Sequence, residues 1–231
     1  ARMEPIIQSH GGFVDKFIGD AIMALFEEGR GVEGQTSSDR AVACAVEMRK
    51  ALKQFNELRA RKGEQPLECG IGISTGLVVL GTVGSMERLD TTAIGDTVNL
   101  AARLESLTAR FGLPVLISTS TMNTMTGSEK FKSRLLGTVT MKGKRRPVEI
   151  HEIFESDPPD TAQKKSRTGE LIAQAFPLYV GREFGPALEL FEKARDIYDE
   201  TLLRQYVDRC KSYLEISPPE EWNGSEVMRE K

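Results

Sequence analysis

Residues 11–26 read GGFVDKFIGDAIMALF: two short apolar runs, 13–18 and 21–26, joined by Gly19-Asp20. Glycine then aspartate between strand-like runs is hairpin chemistry, since a tight turn needs backbone angles that glycine adopts without strain. Working outward, residues 3–10 look like the end of a helix closed by Gly11-Gly12. Residues 29–38 read as a loop. Asp39 can cap a helix along which Val42, Ala45, Met48, Leu52 and Phe55 recur at helical spacing. Strand-like runs come next at 68–74, 77–83 and 91–94, then a helical pattern at 96–107 and a strand at 114–118. Residues 131–141 and 147–154 can pair as a terminal hairpin. Strands and helices interleave, yet several strands are hairpin neighbours. That combination predicts a mixed sheet with helices packed on it, an α+β fold.

Composition removes several classes of function. The 231 residues are 39% hydrophobic and 28% charged, the balance of a globular protein, and only 6% aromatic, so the core must be mainly aliphatic. A long run without a formal charge, residues 69–86, holds five glycines and nine apolar residues, which is no membrane span. Cys44, Cys69 and Cys210 show neither CxxC spacing nor a nearby histidine, which argues against zinc or a disulfide framework. That usage suits a reducing cytoplasm, with any membrane tether lying upstream in a parent protein. A net charge of −3 gives no reason to expect nucleic acid as a partner. The chain opens on Ala1, and its beginning reads as that of a piece of something longer.

Charge and pattern divide the chain near residue 157. Residues 1–156 hold 20 Lys/Arg against 19 Asp/Glu, and residues 157–231 hold 11 against 15. The Pro-rich polar seam at 157–166 reads as a linker. Beyond it, residues 167–215 look all-helical, with stripes at Leu171, Ala175 and Tyr179, at Ala187, Phe191 and Ala194, and at Leu203, Tyr206, Cys210 and Tyr213. The second stripe has the spacing of a tetratricopeptide-repeat helix. One such unit cannot bury its own face, so it must dock on the first domain, on another subunit or on residues outside this chain, and it could also bind a protein partner. Residues 216–231 form a tail with the only tryptophan, Trp222.

Two regions carry chemistry. Asp20 sits at a hairpin tip, where a turn aspartate is ordinary, but Lys16 lies within a strand-like run between Val14 and Ile18. Alternation should bury it, and a buried lysine needs a partner. The second region, 70–107, opens with GIGISTG, whose glycines lead into a strand rather than a helix and so do not make a dinucleotide loop. No GxxxxGK[ST] phosphate loop occurs. Asn99 and Arg103, four apart on the expected helix, share one face. MKGKRRP at 141–147 is a basic turn between two strands.

In order and spacing these segments closely resemble the class III nucleotidyl cyclases, most of all bacterial-type adenylate cyclases, over about residues 1–155. The resemblance implies a ferredoxin-like α+β fold acting as a homodimer, with sites built from both subunits. It implies cyclisation of ATP to 3′,5′-cyclic AMP and pyrophosphate, assisted by two divalent ions, Mg²⁺ or Mn²⁺. Asp20 matches the second of the family's two metal-binding aspartates. Lys16 and Thr92 match the pair that reads the base: an ammonium donates to adenine N1, and a threonine oxygen accepts from the 6-amino group. Guanine reverses both polarities, so a guanylate cyclase would want an acid at position 16. Asn99 matches the residue that positions the ribose and Arg103 the one that stabilises charge on the α-phosphate. Lys142 matches the lysine that holds the terminal phosphates, with Lys144 as a second. In the family's dimer, Asp20 would come from one subunit and the others from its partner.

One departure matters. The family's first metal-binding aspartate lies on an opening strand well upstream of the GGxVDKxxGD motif, and none of residues 1–10 is aspartate. Glu4 is the only acid there, and Asp15 should face away from Lys16 and Asp20. With that strand and ligand missing, the chain as it stands is expected to be an impaired cyclase. The rival readings are a non-catalytic nucleotide-binding or dimerisation module with a helical partner-binding arm, and a guanylate cyclase.

Overall fold

The computed structural model describes residues 2–29, 34–85, 88–140 and 147–227. Helix α1 (Met3–Ser9) leads into the hairpin β1 (Phe13–Ile18) and β2 (Ala21–Leu25), and then the long helix α2 (Ser37–Ala60). Strand β3 (Ile71–Ile73), a second hairpin of β4 (Val79–Ser85) and β5 (Arg88–Ile94), and helix α3 (Asp96–Phe111) come next. After these lie β6 (Val115–Ser118), the short α4 (Thr119–Thr124), β7 (Ser133–Thr140) and β8 (Val148–Ile153). Helices α5 (Pro159–Val180), α6 (Phe184–Ile197) and α7 (Thr201–Glu215) precede a last short strand, β9 (Glu226–Val227).

Among the described residues the strands form one five-stranded mixed sheet, ordered β3-β6-β8-β7-β9, and two separate two-stranded ribbons, β1-β2 and β4-β5. The fold is α+β. Strand alternation sorts the core into two layers. Leu116 of β6 packs with Leu100, Leu104 and Leu107 of α3. Its neighbours Val115 and Ile117 point the other way, to Val42, Ala45 and Val46 of α2. Helix α2 starts at Thr36, whose hydroxyl accepts from the Asp39 backbone N–H while the Asp39 carboxylate accepts from the Thr36 N–H. Thr36 is therefore the cap, and Asp39 is the reciprocal member of a capping box rather than the cap expected from the sequence.

The glycines of GIGISTG are packing residues. A Cβ on Gly72 would overlap the Ala101 carbonyl oxygen and the Glu105 nitrogen, so α3 can lie directly on β3 only because that side chain is absent.

The region expected to be a linker is helical from Pro159, so residues 159–166 form the first two turns of α5. Their polar composition hides an inward face: Lys165, and Thr168 just beyond them, are buried. Lys165 Nζ donates to Glu152 of β8 at 2.5 Å and to Asp157 at 2.6 Å. Arg134 of β7 donates to Glu152 at 2.7 Å, to Thr168 at 2.7 Å and to Glu200 at 2.6 Å. Around this charged core the apolar stripes of α5, α6 and α7 join those of α3, β7 and β8 in one hydrophobic cluster. The stripes thus dock on the first domain, the first of the alternatives that the sequence offered. The tail continues the same packing: Trp222 lies 5.1 Å from the Tyr179 ring and 5.2 Å from Tyr213, and β9 pairs with the edge of β7.

Candidate functional site

The β1-β2 ribbon presents Lys16 and Asp20. Gly19, at φ +61°, makes the turn, and Asp20 stands exposed at its tip. A bulge between Val14 and Lys16 breaks the alternation expected of β1. Lys16 is consequently half-buried, its side chain 31% exposed, rather than buried. The displaced residue is Asp15, whose side chain is 6% exposed and whose Oδ2 lies 3.4 Å from Lys16 Nζ without a hydrogen bond. Asp15 therefore turns toward Lys16 instead of away from it. The bulge puts both side chains on the same side of the ribbon.

Thr92 sits on β5 opposite Gly81, half-buried, with its hydroxyl 3.5 Å from the Ala93 carbonyl oxygen. A single residue, Gly95, separates β5 from α3. Thr92, Asn99 and Arg103 therefore belong to one rigid strand-turn-helix unit. The start of α3 is tied down from the side, where the Thr97 hydroxyl donates to the Leu77 carbonyl oxygen at 3.1 Å. The face of α3 bearing Leu100, Leu104, Leu107 and Phe111 is committed to the core. Asn99 is exposed and Arg103 half-buried, on the side of the helix that the core leaves available. Lys142 and Lys144 lie outside the described residues; the strands on either side of them pair as β7 and β8, with Val139 opposite Val148.

The structure thus unites Thr92, Asn99 and Arg103, and places Lys16 and Asp20 on a ribbon that shares no hydrogen-bonded ladder with them. Both hairpins and the approach to the second also expose apolar side chains that have no counterpart in the motif. Phe17 is 61% exposed and Leu77 is 86% exposed, and Ile18, Val79, Leu80 and Ile94 are exposed as well. The signal was present in Phe17-Ile18, since neighbours on a strand point to opposite faces and a one-sided ribbon cannot bury both. A surface of this kind, on two hairpins of one domain, marks an interaction site.

The donor set for a divalent ion is sparse. Among the described residues no group of three or more His, Cys, Asp or Glu side chains converges. Asp20 offers one exposed carboxylate. This fits an ion that arrives chelated by a polyphosphate and takes one or two protein carboxylates, and does not fit a resident metal held by protein alone.

The chain is thus a mixed-sheet α+β domain with two detached ribbons, one carrying lysine and aspartate and the other leading into an asparagine-arginine helix. The comparisons agree. The sequence profile described as the adenylate and guanylate cyclase catalytic domain matches residues 1–154. The chain belongs to that family. An adenylate cyclase of Anabaena cylindrica is 42% identical over 158 residues, covering 66% of this chain and 30% of that protein. A Dictyostelium discoideum protein named adenylate cyclase, terminal-differentiation specific, is 34% identical over 210 residues, or 89% of this chain and 10% of its own length. That similarity runs past residue 154 into the helices. The crystal structure of the guanylyl cyclase Cya2 superposes with a TM-score of 0.54 at 37% identity, covering 68% of this chain and 77% of that one. The chain spans less than a third of either sequence relative. No helix among the described residues is long and apolar enough to cross a membrane.

Proposed function

We propose that this chain is an adenylate cyclase catalytic unit that converts ATP to 3′,5′-cyclic AMP and pyrophosphate at a homodimer interface. The observation that carries the reading is the β5-Gly95-α3 unit, which holds Thr92, Asn99 and Arg103 in one frame on the side of α3 not used by the core. The exposed apolar residues of both ribbons support the dimer, because a second copy would cover them and bring Asp20 of one subunit to the Lys16, Thr92, Asn99 and Arg103 of the other.

In such a site the ribose 3′-oxygen attacks the α-phosphorus in line. The new bond is O3′–Pα, the bond broken is that from Pα to the bridging oxygen of the β-phosphate, the leaving group is pyrophosphate, and the 3′-hydroxyl proton departs to water. Lys16 donates to adenine N1, and the Thr92 hydroxyl accepts from the 6-amino group. Asn99 holds the ribose so that the 3′-oxygen faces phosphorus. Arg103 places its guanidinium where negative charge gathers on the α-phosphate oxygens in the transition state. Lys142, assisted by Lys144, holds the terminal phosphates. Asp20 would hold a divalent ion carried by ATP, Mg²⁺ or Mn²⁺, which would supply a lower pKa at the attacking hydroxyl and offset phosphate charge.

A second reading, nucleotide binding without turnover, is favoured by the single carboxylate at Asp20 and the absence of a converging ligand cluster among the described residues. Incubating the chain with ATP or GTP and Mn²⁺, and measuring both cyclic products, separates the possibilities. Cyclic AMP formation that is lost in Asp20→Ala supports the proposal. ATP binding without product supports the second reading, and preferential cyclic GMP formation overturns the base assignment to Lys16 and Thr92. Lys16→Glu should lower ATP use by about tenfold or more, because the base site then presents an acceptor to an acceptor.

A further inference from the structure

The β1-β2 ribbon shares no ladder with any other strand among the described residues, so its direction is set at its feet. Those feet are His10, Gly11 and Gly12 on the way in and Phe26 and Glu27 on the way out. They are pressed together, since a Cβ on Gly12 would overlap the Phe26 ring. One side chain grips both. Arg40 of α2, only 3% exposed, donates through Nη1 to the carbonyl oxygens of Gly11 at 3.1 Å and His10 at 3.3 Å. Through Nη2 it donates to the carbonyl oxygen of Glu27.

The place of Arg40 is unfavourable on local grounds. It is the fourth residue of α2, near the positive end of the helix dipole, where a cation is disfavoured. Burying a guanidinium is costly unless acceptors meet it, and here the acceptors are the backbone oxygens of the ribbon's two feet. The helix end that carries Arg40 is itself fixed. Besides capping α2, the Asp39 carboxylate accepts from the backbone N–H groups of Thr126 at 3.2 Å and Gly127 at 3.0 Å. Arg40 is therefore a planar fork on an anchored mount.

We infer that Arg40 is a positioning residue for the cyclisation: by holding both feet of the ribbon it sets where Lys16 stands against the base and where Asp20 stands at the tip. At about 3.4 Å per residue β1 extends about 17 Å, so a tilt of about 10° at the feet moves the tip by about 3 Å. A misplacement of about 1 Å already costs about a hundredfold in rate. In the dimer one clamp serves two sites, giving Lys16 to one and Asp20 to the other. This rests on reading Lys16 as the base contact.

The test is equilibrium binding of ATP and of GTP, with Mn²⁺ present, to the full chain and to Arg40→Lys, Lys16→Ala and the double variant. Arg40→Lys keeps the charge and loses the fork that reaches both feet. It should lower the preference for ATP over GTP about tenfold, the scale of one charge-assisted hydrogen bond, as should Lys16→Ala. In the Lys16→Ala background the Arg40 change should add nothing to the ratio. A general loss of folded protein weakens both nucleotides alike and leaves the ratio unmoved. Gly12→Ala, which pushes on the Phe26 ring and leaves Arg40 in place, should lower the ratio in the same way. Urea unfolding shows which variants fold, and Gly12→Ala decides if Arg40→Lys does not. Equal weakening of ATP and GTP in the deciding variant, an unchanged ratio there, or additivity in the double variant would overturn the inference and leave the base assignment standing. If Lys16→Ala alone leaves the ratio unchanged, the base assignment fails first and takes this inference with it.

Discussion

Arg134 and Glu152 stand directly opposite each other on β7 and β8, joined at 2.7 Å, with side chains 1% and 0% exposed. Each also reaches a helix, Arg134 to Glu200 and Thr168, and Glu152 to Lys165. Burial disfavours charge on Lys165, but Glu152 and Asp157 outweigh it and raise its pKa. Such a network contributes little beyond an apolar core of equal volume, yet removing one member strands the others.

Glu152→Gln is therefore expected to lower the unfolding free energy by about 3–5 kcal/mol, because Arg134 and Lys165 lose their shared counter-charge. Urea titration of both proteins measures the difference. A change below about 1 kcal/mol would mean that the network is relieved by water.

Arg103→Ala should reduce turnover of ATP by about 10²–10³ while changing ATP affinity little, since the guanidinium is needed where transition-state charge develops. Steady-state rates and equilibrium ATP binding on the same variant give the two numbers. A loss of affinity with unchanged turnover would assign Arg103 to ground-state binding.

Leu77→Asp places a charge on the most exposed large apolar residue beside the β4-β5 ribbon. Sedimentation should show a shift toward monomer at a concentration where the parent chain is dimeric, and activity per chain should fall with it. Unchanged sedimentation would place the dimer surface elsewhere.

Asp39 has the clearest pH signature. Burial works to raise its pKa, but hydrogen bonds from Thr126 and Thr36 prevail and hold it well below the ordinary value of 3.8. A depressed folded-state pKa contributes stability that is present above the unfolded value and is lost as pH falls through the folded one. The stability gap between the parent chain and Asp39→Asn should therefore be full at neutral pH and close progressively below about pH 4. Chemical denaturation across pH 3–7 tracks it.

The sequence disclosed the periodic parts well. The α2 stripe of Val42 and Ala45, the helical run that puts Asn99 and Arg103 on one face, and the Gly19-Asp20 turn are local patterns, and the structure reproduces them. What stayed hidden depended on distant partners. Lys165 looked like linker surface because its counter-charge, Glu152, lies 13 residues away on a strand. Lys16 looked buried because nothing in FVDKFI announces the bulge that displaces Asp15. Pairing of β9 with β7 had no pattern to read in two residues. The motifs of the family were legible, and the separation of Lys16 and Asp20 from Thr92, Asn99 and Arg103 onto two detached ribbons was legible only in three dimensions.

Trp222 is the only tryptophan, and it is wedged against Tyr179, Phe184 and Tyr213 with the Arg182 guanidinium 5.7 Å from its ring. The chain thus carries a built-in optical gauge at the end of its helical segment. A few residues on, the backbone enters the strand that pairs with Val139 and Thr140 of β7. Undocking of the tail from α5 and α6 would free that indole, and its emission colour would report the event without any label.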